Sequence, residues 1–242
     1  MHRKDNNKMP VLYLTPTLLS DNTDPQKVLP PNVIEVIHSL RQFVVEDIRT
    51  ARRFLSKAKH PDSIESLHFR ELNEHTSDKE IAPLLPYLMA EDTGLLSEAG
   101  VPAVADPGAK IVCLAHANGI TVVPLTGPSS ILLALMASGL NGQSFSFVGY
   151  LPVKRNERQE RLQVLERRSF SENQTQIFIE TPYRNMQLLE DILQCCQPDT
   201  LLTIASDITG VNEHIMTKSI KNWKKKLPEL NKIPTVFLLQ SV

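Results

Sequence analysis

The chain has few cysteines, and none is spaced for a metal site. Its 242 residues include three cysteines, Cys113, Cys195 and Cys196, with no C-x-x-C pair. This pattern argues against structural zinc and against a disulfide framework. The histidines are also scattered without metal-ligand spacing, so we expect no bound metal. We expect the three thiols to be reduced and buried, because free cysteine behaves as a small hydrophobic residue.

The sequence also lacks a long apolar run and a strong net charge. No stretch approaches the ~20 apolar residues of a membrane-spanning helix. The polar segment Met1–Lys8 lacks the apolar core of a secretion signal. We therefore expect a cytoplasmic protein without a membrane partner. The 26 basic and 27 acidic residues give a formal charge of −1, so any RNA binding must depend on local basic patches.

Three common catalytic and nucleotide-binding motifs are missing. The chain has no G-x-G-x-x-G, no G-x-x-x-x-G-K-S/T and no G-x-S-x-G. The first is typical of dinucleotide-binding Rossmann enzymes, the second of P-loop nucleotidases and the third of α/β-hydrolases. Their absence disfavours all three classes.

Short β-rich segments alternate with amphipathic helices, which predicts an α/β protein with a mostly parallel sheet. The predicted strands are Val11–Leu14, Phe43–Val45, Leu95–Leu96, Ile120–Leu125, Phe145–Tyr150, Thr175–Glu180, Leu201–Ala205, His214–Ser219 and Thr235–Leu239. The predicted helices are Asn32–Arg41 with Asn32 as N-cap, Ile48–Ala58, a helix opened by a Ser77–Glu80 capping box, Ala109–Ala117, Ile131–Ser138, Arg155–Arg168, Arg184–Cys195 and a short basic helix around Trp223. The later strands follow each other closely, which predicts hairpins and a mixed sheet. We place a domain boundary near Thr126, giving an N-terminal α/β domain, 1–126, and a C-terminal one, 127–242.

Several predicted strands end in segments of unusual composition. These segments are Thr15-Pro16-Thr17, Glu46-Asp47, Ser97–Gly108, Gly127–Ser130, Gly149–Pro152 and Glu180–Arg184. Ligands of α/β proteins bind outside the carboxyl ends of strands. Glycine lets the backbone approach a ligand, and proline fixes the loop that holds it. The segments are therefore candidate binding loops, although glycine and proline also terminate strands in any α/β protein.

The segment Ser97–Gly108, which reads SEAGVPAVADPG, resembles the S-adenosylmethionine-dependent tetrapyrrole methylase superfamily. Other segments agree with it in order: Glu46–Arg49 resembles the family's Glu-Asp-Thr-Arg, Gly127–Ser130 its Pro-Gly-Pro-Ser, Phe147–Lys154 its Gly-Phe-Leu-Pro-x-Lys, and Ile179–Arg184 its Glu-Ser-Pro-His-Arg. The resemblance covers nearly the whole chain. It is greatest to the branch that methylates the ribose 2′-hydroxyl of a cytidine in small-subunit ribosomal RNA.

The resemblance implies two α/β domains of the tetrapyrrole methylase type, with S-adenosylmethionine in the cleft between them. It also implies a homodimer, the commonest oligomer of soluble proteins. The residues expected to line the cofactor are Pro16, Thr17, Gly100, Ala105, Asp106, Pro107, Gly127, Pro128, Ser129, Ser130, Tyr150, Leu151 and Pro182.

A ribose hydroxyl is a weak nucleophile and benefits from a general base, by ~10²–10⁴ in rate. The acidic candidates at strand ends are Glu46, Asp47 and Glu180, each of which could instead cap the following helix. The residues expected to meet the phosphates of a ribosomal RNA or small ribosomal subunit are Arg49, Arg52, Arg53, Lys154, Arg155, Arg158 and Arg184. A solvated helix face is the alternative interpretation of these basic residues.

Two other functions stay open. Thr15–Leu19 lacks a glycine that the ribosomal branch carries there, and Ser206–Gly210 lacks its arginine and lysine. The protein could therefore methylate a tetrapyrrole or another non-RNA acceptor. It could also be a non-catalytic relative that binds cofactor or RNA. The retained Asp106-Pro107 and Glu180 favour an enzyme.

Overall fold

The computed structural model describes residues 9–241; the polar segment Met1–Lys8 lies outside the described residues. The chain divides into two compact units, one ending at Pro128 and the other beginning at Ser129. The predicted boundary near Thr126 lies close to this division. Across residues 9–241, the helices are all too short or too polar to cross a membrane.

The first unit contains a parallel sheet whose two faces are covered by helices. Its strands are β1 (Val11–Thr15), β2 (Gln42–Val45), β3 (His68–Glu71), β4 (Thr93–Leu96) and β5 (Thr121–Pro124). Its helices are α1 (Pro25–Val28), α2 (Pro31–Ser39), α3 (Ile48–Lys57), α4 (Asp78–Ile81), α5 (Leu85–Leu88) and α6 (Ala109–Ala117), with 3₁₀ turns at Ile64–Ser66 and Ala82–Leu84. The strand order is β3-β2-β4-β1-β5, with every pair parallel. All five carboxyl ends therefore meet at one edge of the sheet.

Alternation along β2 shows how this sheet is buried on both faces. Phe43 and Val45 pack with Leu55 of α3 on one face. Val44, between them, packs with Ile111 of α6 on the other. Successive side chains of a strand point to opposite faces, and a parallel sheet covered by helices has apolar residues on both.

The second unit contains a mixed sheet. Its strands are β6 (Phe145–Tyr150), β7 (Thr175–Ile179), β8 (Leu201–Ser206), β9 (His214–Ser219) and β10 (Thr235–Gln240). Its helices are α7 (Ser130–Ser138), α8 (Arg155–Glu172), α9 (Asn185–Cys195) and α10 (Ile220–Trp223), with a 3₁₀ turn at Pro182–Arg184. The order is β6-β7-β10-β8-β9; β6 and β7 are parallel, and the other pairs are antiparallel. The prediction of a mixed sheet with a hairpin is confirmed.

Some local predictions were wrong. Helix α2 begins at Pro31, and Asn32 does not cap it, because Pro30 occupies the N-cap position without a side-chain hydrogen bond. Strand β3 was not predicted. Cys113 is exposed rather than buried, whereas Cys196 is buried. The Ser77–Glu80 capping box is present as predicted.

Candidate functional site

Two loops at the carboxyl edge of the first sheet are fastened to each other. Thr17, after β1, donates its backbone N–H to the Gly100 carbonyl at 2.9 Å and its hydroxyl to the Ser97 carbonyl at 3.2 Å. The Ser97 hydroxyl also donates to Gly100 O, at 3.0 Å. Thr17 and Ser97 are buried. The predicted loop Ser97–Gly108 is therefore held against the end of β1.

Glycine is required at two positions where backbone segments meet at this edge. Gly100 has φ +75°, and a Cβ there would lie 2.9 Å from the Pro128 carbonyl oxygen. A Cβ on Gly127 would lie well inside van der Waals contact of the Pro16 ring. A proline ring cannot move aside as a flexible side chain does. The loops can approach this closely because Gly100 and Gly127 have no side chain.

Replacing Gly127 with alanine should destabilise the first unit. We expect a loss of about 1–3 kcal/mol, because overpacking a filled site forces backbone shifts. Gly142→Ala is the matched control, since a Cβ there meets no atom within 4 Å. We expect it to change the free energy of unfolding by less than about 0.5 kcal/mol. Urea unfolding followed by circular dichroism checks both, and equal effects would contradict the interpretation.

The middle of the loop is strained around Asp106. Ala103 and Ala105 have φ of 65° and 58°, in the left-handed region that non-glycine residues seldom adopt. Asp106 Oδ1 accepts the N–H groups of Ala103, at 2.9 Å, and Gly108, at 2.7 Å. Asp106 Oδ2 is buried and accepts no hydrogen bond from any of residues 9–241. The loop therefore keeps a costly shape that leaves one carboxylate oxygen without a donor.

Glu46, at the end of β2, has an elevated pKa. Its Oε1 accepts the Glu98 N–H at 3.0 Å. Burial raises the pKa of Glu46 to about 7, and the negative charges of Asp106, Glu98 and Glu74 add to the shift, while the Glu98 N–H opposes it. Burial also raises the pKa of Asp106. Glu46 and Asp106 line the same small gap, together with Leu95 and Leu96.

The other two predicted acids are held by nearer partners. Asp47 caps α3, with Oδ1 accepting the Thr50 N–H at 2.7 Å, and this hydrogen bond lowers the pKa of Asp47. Glu180, after β7 in the second unit, is buried, and its Oε1 lies 2.5 Å from Nη2 of Arg184. Arg184 is therefore engaged with Glu180 rather than free for phosphate. Of the two neighbouring acids at the end of β2, Glu46 has a raised pKa and Asp47 a lowered one.

The basic residues of the first unit that were predicted to meet phosphate lie on the exposed face of α3. The Arg49 side chain is 95% exposed and lies 4.0 Å from Asp47. Arg52 lies over the Phe69 ring, 5.5 Å from its centroid. Arg53 pairs with Asp21 at 3.3 Å. These contacts are solvent-exposed and weak, so the three guanidinium groups remain accessible.

Arg158, which was predicted to meet phosphate, is instead buried in an ion pair with Asp191. The Arg158 side chain is 4% exposed, and its Nη2 and Nε lie 2.6 and 2.8 Å from Asp191 Oδ2. Nη1 donates to the Val153 carbonyl at 2.7 Å. Arg155 Nε contacts the other Asp191 oxygen at 2.9 Å, whereas Lys154 is exposed and pairs with Glu157. Arg158 and Arg155 thus join α8 to α9 through Asp191, a residue that the sequence pattern did not single out.

The residues predicted to line the cofactor belong to both units. Pro16, Thr17, Gly100, Ala105, Asp106, Pro107, Gly127 and Pro128 belong to loops after β1, β4 and β5 of the first unit. In the second unit, Ser129 caps α7 by accepting the Leu132 N–H, and Ser130 begins that helix. Tyr150 ends β6 and is exposed, Leu151 is buried in the core, and Pro182 begins a 3₁₀ turn. Among residues 9–241, no group of histidine, cysteine or acidic side chains could hold a metal ion.

Comparison with known proteins agrees with this arrangement of loops and sheets. Residues 28–223 match the family described as Tetrapyrrole (Corrin/Porphyrin) Methylases. The chain belongs to the tetrapyrrole methylase family. The resemblance inferred from the Ser97–Gly108 loop is therefore confirmed.

Individual relatives share most of this chain. The ribosomal RNA small subunit methyltransferase I of Vibrio cholerae is 31% identical over 210 residues, which are 86% of this chain and 68% of that protein. The protein of the same name from Escherichia coli O157:H7 is 29% identical over 88% of this chain and 71% of its own length. The crystal structure of the methyltransferase CobJ superposes with a TM-score of 0.64 at 16% identity, covering 97% of this chain and 95% of that one. The chain that folds into these two α/β units is therefore a methyltransferase.

Proposed function

We propose that this methyltransferase transfers a methyl group from S-adenosylmethionine to the 2′-hydroxyl of a cytidine in small-subunit ribosomal RNA. The observation that carries the proposal is the carboxyl edge of the first sheet, where a fastened loop, an unpartnered carboxylate oxygen and a half-buried acid lie together. The names and extensive matches of the relatives support the choice of RNA as acceptor. The cytoplasm is the proposed location.

The loops at this edge fit S-adenosylmethionine. The cofactor carries an ammonium group, ribose hydroxyls and an adenine amine, all hydrogen-bond donors, and Asp106 Oδ2 is an acceptor without a donor. Gly100 and Gly127 let the loops of this edge approach one another closely. When bound, the cofactor supplies an electrophilic methyl group on its sulfonium. The cofactor contacts proposed from the second unit, and the cleft between the units, remain predictions.

Glu46 is the proposed general base. The Glu98 N–H holds its Oε1, which leaves Oε2 to accept the proton of the ribose hydroxyl. A pKa of about 7 suits this role, because a base is most effective when its pKa lies near the working pH. The proposed phosphate contacts are the exposed Arg49, Arg52, Arg53 and Lys154. The homodimer remains a prediction.

Methylation of purified small ribosomal subunits tests the proposal. Subunits from cells that lack the gene are incubated with the protein and labelled S-adenosylmethionine. The RNA is then digested and its nucleosides are identified by mass spectrometry. We expect one 2′-O-methylcytidine per subunit. A methylated base, or label transferred to a tetrapyrrole and not to RNA, would favour the other acceptor class.

Asp106→Ala should weaken cofactor binding by about tenfold or more, because a hydrogen bond to a charged group contributes about 1.5–3 kcal/mol. The variant also frees the Ala103 and Gly108 N–H groups that hold the loop. The control is Cys113→Ser, at an exposed thiol on α6. Calorimetric titration with S-adenosylmethionine and with its demethylated product measures both variants. Equal affinities for Asp106→Ala and the unmutated protein would remove Asp106 from the site.

A further inference from the structure

A lysine-rich surface lies in a part of the second unit that the proposed reaction does not use. Residues 214–232 contain six lysines and one acidic residue, in a chain whose formal charge is −1. Five of these lysines follow one another at the end of β9, along α10 and in the turn after it. We call Lys218, Lys221, Lys224, Lys225 and Lys226 the lysine patch.

The lysine patch projects from a fixed turn. Ile220 and Trp223 of α10 are buried in the core of the second unit, and Trp223 Nε1 donates to the Leu202 carbonyl at 2.8 Å. Lys218 Nζ lies over the Trp223 ring, 4.5 Å from its centroid. Because the apolar side chains hold the backbone, the charged side chains are presented from a rigid base.

The positive charge of the patch is largely uncompensated within the chain. Lys221 pairs with Asp199 at 2.5 Å, with both side chains exposed. Lys224, Lys225 and Lys226 are exposed, and no carboxylate of residues 9–241 lies within 4.0 Å of their amines. Three adjacent like charges repel one another, which disfavours the compact state. A polyanion would relieve that repulsion.

The patch lies at the end of the second sheet opposite to Glu180. Leu201 of β8 pairs with Ser219, immediately before α10, and with Gln240 of β10. At the other end, Val236 of β10 pairs with Ile179, which precedes Glu180. The six residues of β8 span roughly 20 Å between the two ends, at about 3.3 Å per residue. The patch is thus separate from the strand ends that carry Tyr150 and Glu180.

We propose that the lysine patch binds the phosphate backbone of the RNA substrate, away from the strand ends that carry Tyr150 and Glu180. The choice of RNA as the partner rests on the proposed function. The choice of this surface rests on its cluster of lysines, of which Lys224, Lys225 and Lys226 have no paired carboxylate among residues 9–241. Lysine contacts phosphate as a point charge without reading sequence. The patch therefore contributes affinity and orientation rather than choice of nucleotide.

The test compares two triple variants with the same change of charge. The patch variant is Lys224→Gln with Lys225→Gln and Lys226→Gln. The control variant is Lys27→Gln with Lys59→Gln and Lys79→Gln, three exposed lysines of the first unit. The probe is unmodified small-subunit ribosomal RNA made by transcription, and binding is measured over a range of salt. Each lost phosphate contact reduces the steepness of log affinity against log salt by ~0.7–0.9. The plot for the patch variant should therefore be less steep by roughly 2.

The outcomes separate this inference from the proposed function. Weaker RNA binding in the patch variant alone, with cofactor affinity unchanged, supports the patch even if the unmutated protein methylates no RNA. Unchanged binding and an unchanged slope overturn the patch while leaving methylation intact. An equal loss in the control variant also overturns it, because the effect is then one of total charge. Loss of binding to intact subunits but not to free RNA overturns it in favour of a protein partner.

Discussion

Glu46→Gln is expected to lower kcat for RNA methylation by roughly 10²–10⁴-fold, the usual contribution of a general base. Glutamine keeps the shape of the side chain and an oxygen that accepts the Glu98 N–H, but it cannot take up a proton. The affinity for S-adenosylmethionine should change little. Single-turnover methylation of small ribosomal subunits measures the chemical step directly.

The pH dependence of the same variant gives a second readout. Because burial raises the pKa of Glu46 to about 7, the rate of the unmutated protein should rise as the pH passes through 7. The glutamine variant should lack this rise. Stability responds in the opposite sense: a raised pKa stabilises the fold at pH below about 4.5, and this contribution is lost as the pH rises through about 7. Above pH 7 the variant should thus be at least as stable as the unmutated protein.

Asp47→Asn is the matched control for Glu46→Gln. Asp47 is the neighbouring acid, and asparagine can still cap α3 through its side-chain oxygen. We expect kcat within about twofold of the unmutated value and an unaltered pH profile, a difference below ~0.5 kcal/mol. Similar rates for Glu46→Gln and Asp47→Asn would show that neither carboxylate is the base.

Asp191→Ala is expected to destabilise the second unit by about 3–5 kcal/mol, because it leaves a buried guanidinium without a counter-charge. Asp191 is 1% exposed and accepts hydrogen bonds from Arg155, Arg158 and Gln159. Burial acts to raise the pKa of Asp191, but the hydrogen bonds from these three residues outweigh it and lower the pKa. Urea unfolding at pH 7 should show the loss as a lower midpoint.

Two further variants define the origin of that loss. Glu157→Ala breaks the exposed Lys154–Glu157 pair on the same helix and should cost less than about 1 kcal/mol. Combining Asp191→Leu with Arg158→Met should restore much of the stability, because an apolar pair can replace a buried ion pair. If Asp191→Ala and Glu157→Ala cost the same, the buried pair does not hold α8 to α9.

The strands with clear β-rich composition were predicted closely from sequence. The predicted bounds of Phe145–Tyr150 and His214–Ser219 agree with β6 and β9. Strand β3 was missed because His68–Glu71 has one apolar side chain, Phe69, and lies at the edge of its sheet. An edge strand pairs on one side and needs little apolar surface, so composition does not reveal it.

The chemistry of the site depended on contacts that no local pattern contains. The segment Glu46-Asp47 was predicted as a candidate site, but the two acids differ because Glu46 faces Glu98 and Asp106 while Asp47 caps the helix that follows it. Arg158 resembles a solvent-facing helix residue until Asp191, thirty-three positions away, is brought beside it. The candidate binding loops were identified because they follow predicted strands. What each of their side chains does is determined by tertiary packing.

The central place of β10 also fixes the order in which the two sheets can be completed during synthesis. The first sheet needs nothing beyond β5, which ends at Pro124. In the second sheet, β10 lies between β7 and β8, so β8 and β9 stay separated from β6 and β7 until residue 240 is available. Domains of a nascent chain fold as units, the N-terminal one first. The first unit can therefore be folded while the ribosome is still making the strand that joins the two halves of the second.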